Sequence, residues 1–270
     1  MTAAGDECAV WDVHAGTAVR SWHYESSPGR SGDGRECFIF DLALRADDGG
    51  GGGGGGPSET DALVACALSD GTVRIHDLRA PTPATVLTVP GAARLTAVGW
   101  RGPRRGGRGD ALVACAGNGS LHIWDAAAWR PALTLRGGHD TAAYGASWRL
   151  AEKDDRLASW SADGAIAWWD ARYAAAAPAA SPRRLAAGVA PIRGPERIVS
   201  AGIPLFHCTF ADDGAALVAV GGRGSGRHGP EDELVASAFV FDLPGAAASP
   251  PRKRPATWDA AADAADATPH

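Results

Sequence analysis

No stretch of the 270-residue sequence approaches the eighteen or so apolar residues that span a bilayer. The opening residues, Met1 to Val13, lack the basic start and apolar run of a secretion signal. Cysteine is scarce and odd in number: Cys8, Cys37, Cys66, Cys115 and Cys208 are five in all, and none forms a C-x-x-C pair. That pattern argues against a disulfide framework and for a reducing compartment, so the expected location is the nucleus, the cytoplasm or both. The eight histidines and five cysteines show no zinc spacing, and no phosphate-cradling G-x-x-x-x-G-K-[ST] occurs. Net charge is -5 and the pI is near 5.9, which removes any global field toward nucleic acid or an anionic membrane. The one dinucleotide-like string, GSGRHG at 224–229, runs into Pro230-Glu231-Asp232-Glu233 instead of a helix, which denies it a βαβ context. No cofactor, no metal, no small-molecule substrate and no enzymatic activity are expected.

What the chain does have is a repeated hairpin. Leu157 to Arg172, LASWSADGAIAWWDAR, reads as two short strands around an Ala-Asp-Gly turn. Leu63 to Arg79, LVACALSDGTVRIHDLR, and Leu112 to Asp125, LVACAGNGSLHIWD, repeat the pattern. Asp61 to Ala67 recurs identically as Asp110 to Ala116, which aligns Cys66 with Cys115 as small apolar residues inside strands. The aspartates that close the units, Asp77, Asp125 and Asp170, are 48 and 45 residues apart.

Strand-rich units of roughly 40 to 45 residues that end in Trp-Asp are the signature of a ring of four-stranded blades. On Ile123-Trp124-Asp125, Trp168-Trp169-Asp170, Val10-Trp11-Asp12, the variants Ile75-His76-Asp77 and Val240-Phe241-Asp242, and the pair Gly138-His139, the chain resembles the WD-repeat family. The resemblance implies an all-β fold, a β-propeller of four-stranded antiparallel blades. About four and a half blades are legible: a partial one over 8–24, then 36–89, 95–135, 142–185 and 204–245. Propellers commonly use about four to eight blades, so the chain reads either as a shortened member of a larger family or as a small, atypical ring. The first blade is expected to carry the eight glycines of 49–56 in a loop, and the opening partial blade either borrows strands from the other terminus or lacks them. The segment 246–270 is low in hydrophobicity and rich in Ala, Pro and Asp, and is expected to be a disordered tail outside a propeller of residues 1–245. Ala256-Thr257-Trp258 within it has the character of a last short strand.

The same resemblance assigns a buried structural network to His139, Ser159, Asp163 and Trp169. Ser, His and Asp together also suggest a nucleophile triad, but their spacing is that of polar groups that satisfy one another inside a blade. The other blades keep only Ser69 or Asn118 in their turns and no Gly-His, so packing is expected to hold them.

Candidate partner-binding residues follow from charge and position. Asp170 and Arg172 end a box similar to that of substrate receptors of Cullin-4 ubiquitin ligases, in which the Arg contacts the damaged-DNA-binding adaptor. Arg79 ends a looser copy of the box. Arg101, Arg104, Arg105 and Arg108 interleave with glycine over 101–109, which resembles RGG segments that bind RNA by phosphate contact and stacking. Alternation of loops between the faces of a propeller places Arg79, the 101–108 insertion, Arg172 and the glycine tract on one basic face. The other receives 189–203 and the Gly-rich, acidic-ended 221–233 loop. Pro251-Arg252-Lys253-Arg254-Pro255 has the composition of a nuclear import signal. The expected function is a noncatalytic scaffold for protein partners in a multiprotein complex, with a Cullin-4 substrate receptor and an RNA-associated propeller as alternatives.

Overall fold

The computed structural model describes residues 1–24, 37–45, 63–78, 80, 82–91, 94–101, 110–149, 155–173, 190–211, 216–223 and 235–242. The glycine tract, Arg79, Arg104, Arg105, Arg108, the GSGRHG string and the 246–270 segment lie outside them. The described residues form strands and turns, gathered into five sheets that follow one another along the chain.

Sheet 1 holds β1 (Thr2–Ala4), β2 (Glu7–Asp12) and β3 (Thr17–His23). Sheet 2 holds β4 (Ile39–Leu44), β5 (Leu63–Leu68), β6 (Thr72–Asp77) and β7 (Pro83–Thr88). Sheet 3 holds β8 (Leu95–Arg101), β9 (Ala111–Ala116), β10 (Leu121–Asp125) and β11 (Arg130–Leu135). Sheet 4 begins with β12 (Ala143–Trp148), β13 (Arg156–Ser161) and β14 (Ala165–Asp170). Two strands follow: β15 (Ile192–Arg193), which joins sheet 3 in parallel beside β11, and β16 (Arg197–Ser200), which completes sheet 4 beside β14. Sheet 5 holds β17 (Leu205–Ala211), β18 (Ala216–Arg223) and β19 (Val235–Asp242). All other pairings are antiparallel.

Two expectations change here. The blade expected over 142–185 takes its fourth strand from Arg197–Ser200, so its sheet extends to residue 200. Residues 189–203, expected as a loop on the far face, therefore hold two strands. The partial blade over 8–24 gains a third strand, Thr2–Ala4, from a segment whose own sequence is too short and too weakly apolar to announce one.

Turn chemistry explains why the repeats fold as hairpins. Gly71, Gly119 and Gly164 stand at φ near +79°, a conformation that side chains resist. Just before each glycine an Asp or Asn accepts a backbone N–H two residues on: Asp70 from Thr72 at 2.9 Å, Asn118 from Ser120 at 3.1 Å, Asp163 from Ala165 at 2.7 Å. The aspartates that end the third strands do the same for the next turn. Asp12 accepts from His14 at 2.8 Å, Asp125 from Ala127 at 2.9 Å and Asp170 from Arg172 at 3.0 Å. Trp-Asp is thus a strand end and a turn start in two residues.

The first strands β4, β8, β12 and β17 pack side by side, which sets sheets 2 to 5 around a common line. The second strands β5, β9 and β13 are buried almost throughout, with a neighbouring sheet on either face. Four apolar clusters fill the spaces between sheets; that between sheets 3 and 4 centres on Leu121, Ile123, Leu133, Leu157 and Trp169.

Arginines at the ends of first strands tie adjacent sheets together. Arg45, just past β4, pairs with Asp110 of sheet 3, and Arg101, ending β8, places Nη1 2.9 Å from Oδ1 of Asp155 in sheet 4. The Arg101 guanidinium also lies over the rings of Trp148 and Tyr173, at 5.2 and 5.5 Å from their centroids. Arg101 is 4% exposed, so it belongs to the interior and not to a basic partner-binding face. Charge alone favours the surface for Arg101, and the buried Asp155 and the two rings draw it inward. Removing one partner of such a pair strands a buried charge. Asp155→Ala should therefore destabilise the protein by about 3–5 kcal/mol, read as a lowered urea midpoint, and a loss below 1 kcal/mol would contradict the latch.

Candidate functional site

Sheet 4 brings together three of the four residues assigned to its network through direct side-chain bonds. His139 Nε2 lies 2.6 Å from Ser159 Oγ, and Trp169 Nε1 donates to the same oxygen at 2.8 Å. Trp169 and Ser159 are fully buried and His139 nearly so. Asp163 contributes differently: its carboxylate accepts the Asp140 amide at 3.0 Å and stands 3.8 Å from His139 Nδ1, beyond hydrogen-bond reach. It pins the loop that carries His139, while burial lowers the pKa of the imidazole. Gly138 is required beside His139, because a Cβ there would come within 2.4 Å of the Trp169 ring. A hydroxyl locked between an indole and an imidazole, with no exposed face, has no access to a substrate, so the arrangement works as a brace.

Sheet 2 was expected to depend on packing, and it holds a second network instead. The register sets Cys66 opposite Arg74 and His76 opposite Val64, the places that Ser159 and Trp169 occupy in sheet 4. Tyr24, just past β3, supplies the third group. Its hydroxyl donates to Cys66 Sγ at 3.3 Å and lies 2.7 Å from His76 Nε2. Trp22 packs on the His76 ring at 4.6 Å between centroids, and the Arg74 guanidinium covers the Tyr24 ring at 5.1 Å. Cys8 of sheet 1 hydrogen-bonds Cys66; that bond and burial raise the Cys66 thiol, while burial raises the Tyr24 phenol. Tyr, Cys and His here do what His, Ser and Trp do in sheet 4. The sequence signal was the His in Ile75-His76-Asp77, read only as a degraded Trp. In sheet 5 the same two register positions hold Ala219 and Phe241, and there packing suffices.

The register also separates two segments of identical sequence. Cys66 faces sheet 1, whereas Cys115 lies in the core toward sheet 4, and the residue that matches Cys66 in sheet 3 is Ala114. The turn of sheet 3 is one residue shorter, and a one-residue slip turns every side chain to the other face. All five cysteines are free and buried.

Arg172 stands at the edge of sheet 4 with 64% of its side chain exposed. Its Nε and Nη2 donate to the two oxygens of Asp170 at 2.8 and 2.6 Å, a bidentate fork. That fork holds the Asp170 carboxyl down to about 2. Arg193 of β15 donates to the backbone oxygens of Asp170 and Arg172 at 2.5 and 3.1 Å.

The comparisons with known proteins concern the fold. No family model matches the chain, and no curated protein matches it. A chain in the crystal structure of the mitotic checkpoint complex is similar over 89% of this chain, with a TM-score of 0.57 and 16% identity. This chain has the fold of a WD-repeat propeller. It spans 56% of the length of that neighbour. Chains of solved structures that match number 903, so the architecture is widespread and does not by itself select a function.

Two measurements test the braces of this propeller. Ser159→Ala leaves both His139 and Trp169 without their shared partner and should cost about 2–4 kcal/mol in urea unfolding; a cost under 0.5 kcal/mol would show that the brace is idle. Burial lowers His76, and likewise His122 of β10, whose Nε2 lies 3.0 Å from Ser120 Oγ, from 6.5 to about 4. The unfolded chain therefore takes up these protons first as pH falls. Their contribution is complete above 6.5 and is lost between 6.5 and 4, by roughly 3 kcal/mol for each histidine. Urea midpoints should decline steadily across that window, and a flat profile would refute the assignment.

Proposed function

We propose that the chain is a noncatalytic scaffold that holds protein partners together in a multiprotein assembly, in the nucleus or the cytoplasm. The observation that supports this reading is a set of exposed rings at equivalent places on the innermost strands. Each first strand shifts register near its start: between Ile39 and Asp41, Leu95 and Ala97, Ala143 and Gly145, and Leu205 and His207. The extra residue at each bulge is Phe40, Thr96, Tyr144 and Phe206 in turn. A bulge re-aims its side chain, and Phe40, Tyr144 and Phe206 are 48%, 43% and 52% exposed. Thr96 instead bonds inward to the Ala143 carbonyl. Aromatic residues held out on a rigid frame suit a protein interface, where rings supply much contact area at little entropic cost. The structural neighbour, itself a chain of a multisubunit complex, agrees with this class of function.

A second reading is a Cullin-4 substrate receptor that binds its adaptor through Arg172. What favours it is the exposed guanidinium, held in fixed geometry by Asp170, with further N–H groups turned outward. The RNA reading has no such support. Arg101 is interior, and Arg104, Arg105 and Arg108 lie outside the described residues.

One affinity-capture experiment with quantitative mass spectrometry separates the readings. Three forms are compared: the native protein, the Phe40→Ala/Tyr144→Ala/Phe206→Ala variant and Arg172→Ala. The scaffold reading expects the triple variant to lose its partners at unchanged thermal stability; full retention of the native partner set discards the aromatic face. Loss of the adaptor alone in Arg172→Ala supports the receptor reading, and absence of the adaptor from the native capture ends it.

A further inference from the structure

Two of the five free, buried cysteines meet across a sheet boundary. Cys8 lies in β2, opposite Ala3 of β1 and Trp22 of β3. Cys66 lies in β5, opposite Leu42 of β4 and Arg74 of β6. Both belong to the one cluster between sheets 1 and 2, with Trp22, Tyr24, Val64 and Leu68 around them, and neither residue has exposed surface. There the two thiols hydrogen-bond each other, while the Tyr24 hydroxyl donates to Cys66 Sγ at 3.3 Å. A disulfide requires cysteines that face each other at close range, and this pair does.

The pair is also unequal. The hydrogen bond from Cys66 holds the Cys8 thiol below its ordinary value, while the same bond together with burial raises that of Cys66. Burial raises the other three thiols, Cys37, Cys115 and Cys208, the last to about 12. A thiol attacks as its thiolate, so Cys8 has the character of the nucleophile, and Cys66 stands beside it to resolve the product. Cys37 shares the cluster, but its hydrogen-bond partner is Ser69.

We propose that Cys8 and Cys66 form a redox modification site, at which a low-molecular-weight disulfide such as oxidised glutathione converts the two thiols into a bridge between sheets 1 and 2. Cys8 attacks one glutathione sulfur, the glutathione S–S bond breaks, and the departing thiolate takes up the Cys8 proton. Cys66 then attacks the Cys8 sulfur of the mixed disulfide, and its proton leaves with the second glutathione. Two protein thiols are oxidised to one disulfide, and the oxidant is reduced to two thiols. Entry is from the side of β1. That strand has three residues, all exposed, and its middle residue, Ala3, is the one opposite Cys8. A short, exposed strand opens more readily than strands covered on both faces. The bridge joins residues 58 positions apart, which narrows the unfolded ensemble and ties sheet 1 covalently to the sheet that bears Phe40. Tyr24 then gives up the thiol and keeps His76 as its partner.

The full chain, reduced, freed of reductant and still folded, is incubated with oxidised glutathione, blocked with N-ethylmaleimide and mapped without reduction. The expected product is an intramolecular bridge between the peptides that hold Cys8 and Cys66, with Cys37, Cys115 and Cys208 recovered as blocked thiols. The urea midpoint of the oxidised chain should exceed that of the reduced chain and return to it after dithiothreitol. Cys8→Ala should show neither the bridge nor the shift. A bridge that involves Cys37, a glutathione adduct on Cys8 that persists without a bridge, or thiols that react only once urea has unfolded the chain each overturns the site. An unchanged midpoint in the bridged chain overturns the tie between the sheets.

Discussion

Every second strand in the middle of this molecule is covered on both faces, and that double coverage governs the rest. β5, β9 and β13 carry LVACAL, ALVACA and RLASWS, small and apolar residues with hardly a polar edge. A sheet with such a centre cannot be stable alone in water. Stacked against neighbours on both sides, it buries one cluster toward the preceding sheet and another toward the next. The small side chains are the condition for this, since Ala, Cys and Val let flanking sheets approach while Trp124, Trp160 and Trp169 fill the wider spaces. Cooperativity between neighbours follows, as in any array whose units stabilise one another.

Polar groups inside this array serve as locks between sheets. Arg45 with Asp110 and Arg101 with Asp155 join a first strand to the sheet that follows it. His139 with Ser159 and Trp169, and Tyr24 with Cys66 and His76, join the entry of a sheet to its second and third strands. The two networks share a layout and almost no chemistry. A buried donor needs an acceptor of suitable reach, and imidazole with hydroxyl and indole meets that need as well as phenol with thiol and imidazole. Where neither set is present, as at Ala219 and Phe241, the layer is apolar and leaves nothing to satisfy.

This division of labour also shows which arginines are free to act outside the molecule. Arg101 ends a strand that runs to the margin of the sheets, yet Trp148, Tyr173 and Asp155 draw it inward. Arg172 follows the same kind of strand end two residues after a turn-forming Asp, and the fork to Asp170 keeps it at the surface. Both are arginines beside glycine or alanine in the sequence. What each one meets in space tells them apart: Arg101 a carboxylate of the next sheet, Arg172 the carboxylate two residues before it.

The resemblance to WD repeats supplied the polar group around Ser159, while repeat length, turn residues and the Trp-Asp endings were enough to determine the all-β architecture and the hairpins around Gly71, Gly119 and Gly164. These rest on local physics: a backbone that needs φ > 0, an Asp that caps the next turn, an apolar strand between them. Tertiary structure decided everything that depends on which sheet lies alongside. It gave β16 to sheet 4 and β15 to sheet 3, drew Tyr24 into a network with Cys66 and His76, and turned Arg101 into the core. The clearest case is the pair of identical segments 61–67 and 110–116. One turn is shorter by one residue, so Cys66 looks back toward sheet 1 and Cys115 looks ahead toward sheet 4. The side chains of a strand alternate faces, and only the pairing register says which face comes first.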